Sequence, residues 1–316
     1  MWVGSDGRSL TLTVEWDEKS MIVHLTKQGY AAKPVQQPAS TVKTILFPVD
    51  DIAHSRFAVS VACGLSQLYR AALHVTNVGQ RTLDSRELIS CLGSGAHDLR
   101  HFIFDRATGD PGEYMTRLSR ELPDSLFVMS TDIGRTTRAN RFGSITESIL
   151  ATRPERIVLL APNHNETAWS MRRILLAHDG TPACLVATSV AAELAQRKGI
   201  EVIALHVASR GKDLPGAPGT MHAPFYVDQP QHEWPSWTGE FMSRLTAAGT
   251  PAEAIHFRLT VRAGQPGSEV AKFARECAAD LVVMAWHGHW EKQQTAARVV
   301  VRTAGCPVLL VLAQTT

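Results

Sequence analysis

Ile45–Leu65 reads ILFPVDDIAHSRFAVSVACGL, and Ile174–Leu194 reads ILLAHDGTPACLVATSVAAEL. The two stretches align without a gap: Asp50 falls on Asp179, Ala58 on Ala187, Ser60 on Ser189, and Val61-Ala62 on Val190-Ala191. Further along, Leu73-His74-Val75 matches Leu205-His206-Val207. GDPGEYMTRLSRELPDSLFVM from Gly109 matches GQPGSEVAKFARECAADLVVM from Gly264, and IVLLAP from Ile157 corresponds to VLLVLA from Val308. Four matches in one order, each at a matching element, make the chain a tandem repeat of one domain.

The pattern within the repeat gives the fold class. Ile45–Val49 is a continuous apolar run ending in Asp, as in a strand buried on both faces. His54–Arg70 places Phe57, Val61, Leu65 and Leu68 at helical spacing. Strands follow at Leu73–Val78, His101–Asp105, Leu126–Ser130 and Arg156–Leu160, with helices over Arg81–His97, from Pro111, and over Ser144–Ala151. Pro111 stands where its missing N–H costs nothing, at the start of a helix. Strands alternating with helices predict α/β architecture: two tandem doubly wound domains, each on a five-stranded parallel sheet. The expected domains are 41–165 and 171–316.

Residues 1–40 lie outside the repeat. In LTLTVEW, Leu10, Leu12, Val14 and Trp16 alternate with polar residues, and MIVHL follows after Asp17-Glu18-Lys19, so a short β-hairpin extension and a Pro/Gln linker are expected. The second repeat carries an insertion at 209–237, rich in Gly, Pro, His and Trp. It leaves the second strand at the carboxyl edge of the sheet, where ligands bind in such folds, and is expected to cover the crevice there. The terminal strands of both repeats are strongly apolar, so they are expected to pair with each other or with a second chain.

Composition narrows the function. With 32 basic and 30 acidic residues in 316, net charge is +2, without the basic excess of a nucleic-acid or membrane-surface binder. No apolar run approaches the roughly 18 residues of a membrane helix, and the start lacks the order of a signal peptide, so a cytoplasmic location is expected. The five cysteines (Cys63, Cys91, Cys184, Cys277, Cys306) form no CxxC pair, which argues against a disulfide framework or a zinc-cysteine site. His287-Gly288-His289 lacks a third ligand of fixed spacing, so no metal site is expected. No P-loop, GxGxxG or GxSxG motif occurs.

ILFPVDDIAHS and ILLAHDGT resemble the first strand and turn of the universal stress proteins. RAGQPGSEVAKFARECAADLVVMAWHG resembles their third helix and fourth strand, and RTAGCPVLLVL their last helix end and strand. The resemblance covers most of both repeats. It implies the sheet order 3-2-1-4-5, with a ligand crevice between strands 1 and 4 that binds ATP in many members. In those members an Asp ends strand 1, and a stretch G-x-x-G-x9-G-S/T wraps the phosphates. Glycines let backbone N–H groups approach the phosphates, and the following helix turns its positive end to them.

Carried onto this sequence, the resemblance places Asp50 on the adenosine side, with Val75 of the second strand among the cofactor contacts. In STDIGRTTRANRFGSIT (130–146), Gly134 and the pair Gly143-Ser144 match the motif. Thr131 replaces the first glycine, and eight residues rather than nine separate Gly134 from Gly143. Arg135, Arg138 and Arg141 would suit a triphosphate. The second repeat keeps Asp179, Gly288 and Thr295, but its loop is about four residues short and Gln294 stands for the closing glycine.

The expected function is a stress-response protein binding ATP, with or without Mg2+, or a related adenine nucleotide, as a regulatory signal in the first repeat, the second site being degenerate. The alternatives are a pseudo-dimeric interaction module without nucleotide, and a slow ATPase. No general base is visible beside the phosphate loop, so no catalytic residue is assigned. A homodimer or a protein partner is expected, and neither nucleic acid nor membrane.

Overall fold

The computed structural model describes residues 42–50, 52–79, 102–131, 142–160, 168–208, 257–288 and 295–313, together with 221, 237, 239–241, 244 and 290. It also describes the strands β1 (Trp2–Val3), β2 (Ser9–Asp17) and β3 (Ser20–Lys27). The helix expected at 81–97 lies outside the described residues.

The first repeat contains β4 (Thr44–Val49), α1 (Ile52–Tyr69), β5 (Ala72–Asn77), β6 (Phe102–Arg106), α2 (Pro111–Glu121), β7 (Ser125–Ser130), α3 (Ser144–Ala151) and β8 (Arg156–Leu160). The second contains β9 (Ile174–Ala177), a 3-10 turn at Pro182–Cys184, α4 (Leu185–Lys198), β10 (Val202–Ala208), β11 (Phe257–Ala263), α5 (Pro266–Glu276), β12 (Leu281–Trp286), α6 (Ala296–Thr303) and β13 (Val308–Leu312). Helix α2 begins as its sequence requires: the Asp110 side chain accepts from the Glu113 N–H, and Pro111 takes the first helical position.

The chain packs into two compact units. One comprises Met1–Pro38, Arg172–Ala285 and Ala313–Thr316; the other comprises Ala39–Met171 and Trp286–Leu312. In the latter the strands run β13-β8-β7-β4-β5-β6. The first repeat therefore has the order 3-2-1-4-5, parallel throughout. Its fifth strand is covered by β13 of the second repeat, antiparallel, with Leu309 opposite Val158 and Leu310 opposite Ile157. All four of these residues are fully buried.

In the other unit the order is β1-β2-β3-β11-β10-β9-β12. The N-terminal extension is the expected hairpin, with Asp17 opposite Ser20. Its strand β3 adds antiparallel to β11 and covers that edge of the second repeat's sheet, with Leu259 opposite Val23.

Sheet register corrects one part of the sequence alignment. Ile45 stands opposite Leu73 and Ile174 opposite Val202. Since Ile45 and Ile174 are equivalent, Leu73 corresponds to Val202, and the match of Leu73–Val75 to Leu205–Val207 is out of step by three residues. Val78, not Val75, is the counterpart of Val207. A slip by an odd number reverses the face on which a strand residue lies. His74 accordingly meets Asp105 at 2.8 Å, in a cluster with Tyr114 of α2, whereas His206 packs against Trp237 and Phe241.

The pairing of β8 with β13 yields a stability prediction. Leu309→Ala and Val158→Ala each remove buried atoms from facing positions. The leucine change should cost about 2–5 kcal/mol. The double variant should depart from additivity by more than about 0.5 kcal/mol, measured by urea unfolding of the full chain. Additive, near-neutral changes would contradict the pairing.

Candidate functional site

The crevice of the first repeat arises where strand pairing stops. Six residue pairs join β4 to β5, but only three join β4 to β7, ending at Leu46 and Phe127. Extended by its own register, β4 brings Asp50 level with Thr131. The two strands separate before reaching that level, at the point where the sheet order reverses, which is where ligands enter open α/β sheets.

Three hydrogen bonds fasten the far wall. The Thr131 N–H donates to Leu160 O at 2.8 Å, and Thr131 O accepts from the Gly143 N–H at 2.8 Å. The Thr146 hydroxyl donates to Ser130 O at 3.2 Å. The bonds from Gly143 and Thr146 hold the start of α3 against the end of β7. Gly143 is the N-cap of α3 and supplies no side-chain hydrogen bond to the first turn. Ser144 is exposed at that end. An uncapped helix start of this kind presents N–H donors and a positive dipole end. Across the crevice, the half-buried Asp50 makes no side-chain hydrogen bond to another described residue. Gly79 is required beside it, because a Cβ there would stand 2.6 Å from Asp50 O.

The remaining expected residues are placed as follows. Val75 is buried in the middle of β5, opposite Phe47, short of the carboxyl edge. Gly134 and Arg135, with Arg138 and Arg141, lie outside the described residues.

The equivalent positions of the second repeat are already engaged. Asp179 Oδ1 accepts from the Thr181 N–H at 2.8 Å, the Thr181 hydroxyl at 2.6 Å and the Cys184 thiol at 2.9 Å. Partial burial works to raise the Asp179 carboxyl, but the hydrogen bonds from Cys184 and Thr181 outweigh it and hold the group below the usual carboxylate range. Thr295 is the N-cap of α6, and its side chain accepts from the Arg298 N–H, so this helix start is self-capped.

Two described residues of the insertion, Met221 and Trp237, reach the same region. Met221 N donates to Gly180 O at 3.0 Å, and Gly180 takes φ +86, where a Cβ would lie 2.5 Å from Met221 O. Trp237 and Phe241 pack their rings on His206, and Phe241 also meets His178 edge-on. The rest of the insertion, with His222 and His232, lies outside the described residues, as do His289 and Gln294.

Gly288 and Thr295 belong to the unit that contains the first repeat. Gly288 takes φ +72 against the Arg153 side chain. Arg298 is buried there, donating to Trp290 O at 2.8 Å and lying 5.3 Å from the Phe142 ring centre, with Glu147 at 3.9 Å. The Phe142 and Trp290 rings stand 5.1 Å apart. This backing for the start of α3 was not visible in sequence, because the repeat alignment assigns Phe142 and Trp290 to separate domains.

Residues 171–311 match the universal stress protein family. Over that segment the chain is similar to the universal stress proteins. Similar solved structures include a universal stress protein from Archaeoglobus fulgidus, at 15% identity and TM-score 0.58, covering 85% of this chain and 96% of that one. A protein of unknown function from Pseudomonas aeruginosa matches at 14% identity and TM-score 0.54, covering 88% and 95%. At these identities the likeness is one of fold. No helix among the described residues is long and apolar enough to cross a membrane.

Sequence reading also missed a polar cluster in the first repeat's sheet. Asp105 Oδ2 receives His74 Nε2 at 2.8 Å and the Tyr114 hydroxyl at 2.7 Å. Burial works to raise the Asp105 carboxyl, but the bonds from Tyr114 and His74 prevail and lower it. The same bond to Asp105 pushes Tyr114 up to about 12.

A carboxyl lowered by folding contributes stability above its unfolded value, and that stability is lost as pH falls through the folded one. Tyr114→Phe should therefore destabilise the protein by roughly 0.5–1.5 kcal/mol at neutral pH. The gap should narrow when urea unfolding is repeated at a pH where Asp105 is protonated. A gap of constant size would remove Asp105 as the cause.

Proposed function

We propose that the first repeat binds ATP, or a related adenine nucleotide, in the crevice between β4 and β7, and that the bound nucleotide acts as a regulatory signal in a stress-response protein. The observation that carries this reading is the start of α3, held to the end of β7 and without a side-chain cap from Gly143, at the level where Asp50 makes no side-chain hydrogen bond to another described residue.

The residues present fit such a ligand. Asp50 is an acceptor suited to ribose hydroxyls or the adenosine edge. The N–H groups opening α3, with the Ser144 hydroxyl, are donors suited to phosphate oxygens. Arg135, Arg138 and Arg141 follow β7 in the sequence and supply cationic charge to the same loop. A magnesium ion accompanying the phosphates would offset their charge. The nucleotide supplies a charged, removable occupant, and the chain's own residues bind and orient it. Filling the crevice would bring negative charge against the start of α3, and that change would be what a partner reads.

The second repeat offers less. Asp179 Oδ1 is saturated by its own turn, and the start of α6 is capped by Thr295. Losing two charge-assisted bonds to phosphate costs at least about 1.5–3 kcal/mol each, which weakens binding by roughly a hundredfold or more. The proposal is therefore one ATP per chain.

Calorimetric titration decides the matter. Wild type should bind one equivalent of ATP. Asp50→Ala, and Gly143→Val with its side chain filling the phosphate space, should abolish binding, while Asp179→Ala should leave it nearly unchanged. Two equal sites, or binding lost only with Asp179→Ala, would reverse the assignment. No heat of binding with any adenine nucleotide would instead favour the interaction-module reading.

A further inference from the structure

We propose that His178, Asp179 and Cys184 form a zinc site at the first turn of the second repeat. Each offers one ligand atom, and the imidazole nitrogen, carboxylate oxygen and sulfur all lie within 4.8 Å of one another. Ligands bonded to zinc at about 2.0–2.3 Å in a tetrahedron stand roughly 3.3–3.8 Å apart. The three groups need only a small inward adjustment to meet one ion.

The fold brings them together from both sides of a turn. His178 and Asp179 directly follow β9, and Cys184 ends the 3-10 turn that leads into α4. Their spacing, H-D-x4-C, matches no familiar zinc signature, which is why reading the sequence for paired cysteines or for His287-Gly288-His289 passed over them.

Several features of this turn suit a cation. His178 is 7% exposed, and its Nδ1 accepts from the Gly180 N–H at 2.9 Å, so the lone pair of Nδ1 is turned toward the Asp179–Cys184 turn and the proton resides on Nε2. Nε2 is buried without a hydrogen-bond partner among the described residues. Asp179 uses only Oδ1 in its turn and leaves Oδ2 without a hydrogen bond to a described residue. Cys184 is 5% exposed, while Asp179 is exposed and gives solvent, and hence an ion, a way in.

Charge and chemistry select the ion. One thiolate, one carboxylate and one neutral imidazole carry two negative charges, which a divalent ion cancels inside a largely buried turn. Sulfur with imidazole and one oxygen suits the borderline-soft Zn2+ rather than Mg2+ or Ca2+. Binding forms the Zn–S, Zn–N and Zn–O bonds and releases the thiol proton to solvent, with no change of oxidation state. The Gly180 N–H gives up its bond to Nδ1, and water completes the tetrahedron.

The first repeat provides an internal comparison. In the gapless alignment that equates Ile45 with Ile174, Val49 stands for His178, Asp50 for Asp179 and Ser55 for Cys184. The carboxylate is common to both turns, but the imidazole and thiol are confined to one. The shared acidic position would then serve two different ligands in the two halves of the chain.

Cobalt(II) and zinc test the site on the full-length, metal-stripped protein. Cobalt should bind with the thiolate charge-transfer absorption and intense visible bands of a tetrahedral site, and one equivalent of zinc should displace it. Cys184→Ser should remove the thiolate band, and His178→Gln should weaken zinc by roughly tenfold or more in competition with a chromophoric chelator. Cys277→Ser should change neither. A wild-type protein that gives no thiolate band, or a band that survives Cys184→Ser, would overturn the proposal. The readout involves no nucleotide, so its failure would leave the reading of the first repeat untouched.

Discussion

The antiparallel pairing of β8 with β13 is the contact on which the arrangement of the first site depends. Both strands are apolar and almost wholly buried, and either edge left open would invite another chain. Their pairing draws Trp286–Leu312, the last segment of the second repeat, into the compact unit of the first. With it come Trp290 and Arg298, which pack on Phe142 immediately before α3. The donors that start α3 thus rest on side chains from both repeats. A tandem duplication explains this economically: the partner that covers the edge strand is encoded in the same chain.

The two crevices share a backbone plan and differ in how their polar groups are used. In the first, neither the Asp50 side chain nor a side-chain cap from Gly143 takes up hydrogen-bonding capacity among the described residues. In the second, Asp179 receives three donors, Thr295 caps α6, and Met221 lies on Gly180. Local hydrogen bonds compete with a ligand for the same atoms, so a turn that satisfies itself has less to offer a nucleotide. The imidazole and thiol gathered in that turn point to a smaller, cationic occupant.

Much of the fold was legible in the sequence because strands buried on both faces read as unbroken apolar runs. β4, β7 and β8 fall where ILFPV, LFVM and RIVLL predict them, and α3 over Ser144–Ala151 coincides with its expected range. The three-residue error at Leu73–Val75 has an equally physical origin. Leu-His-Val is a short pattern that recurs within an apolar strand, and only the ladder to β4 reveals which residue faces which. Val75 lies within β5, and Val78 stands just beyond its end. The addition of β3 to β11 was not legible either, since a hairpin's own alternation says nothing about which sheet edge it will join. Asp50, Thr131 and Gly143, named from sequence, lie at the ends of β4 and β7 and at the start of α3. The absence of a side-chain cap on α3, and the engagement of Asp179, needed coordinates.

The proposed nucleotide site requires the N–H groups at the start of α3 to receive the phosphates. Amide chemical shifts and hydrogen exchange at Ser144, Ile145 and Thr146, followed as ATP is added to the full-length protein, test it most directly. The account predicts large shifts and slowed exchange at these three residues, with little change at Ala296–Arg298. Changes confined to Ala296–Arg298, or none at either helix start while ATP binds, would contradict it.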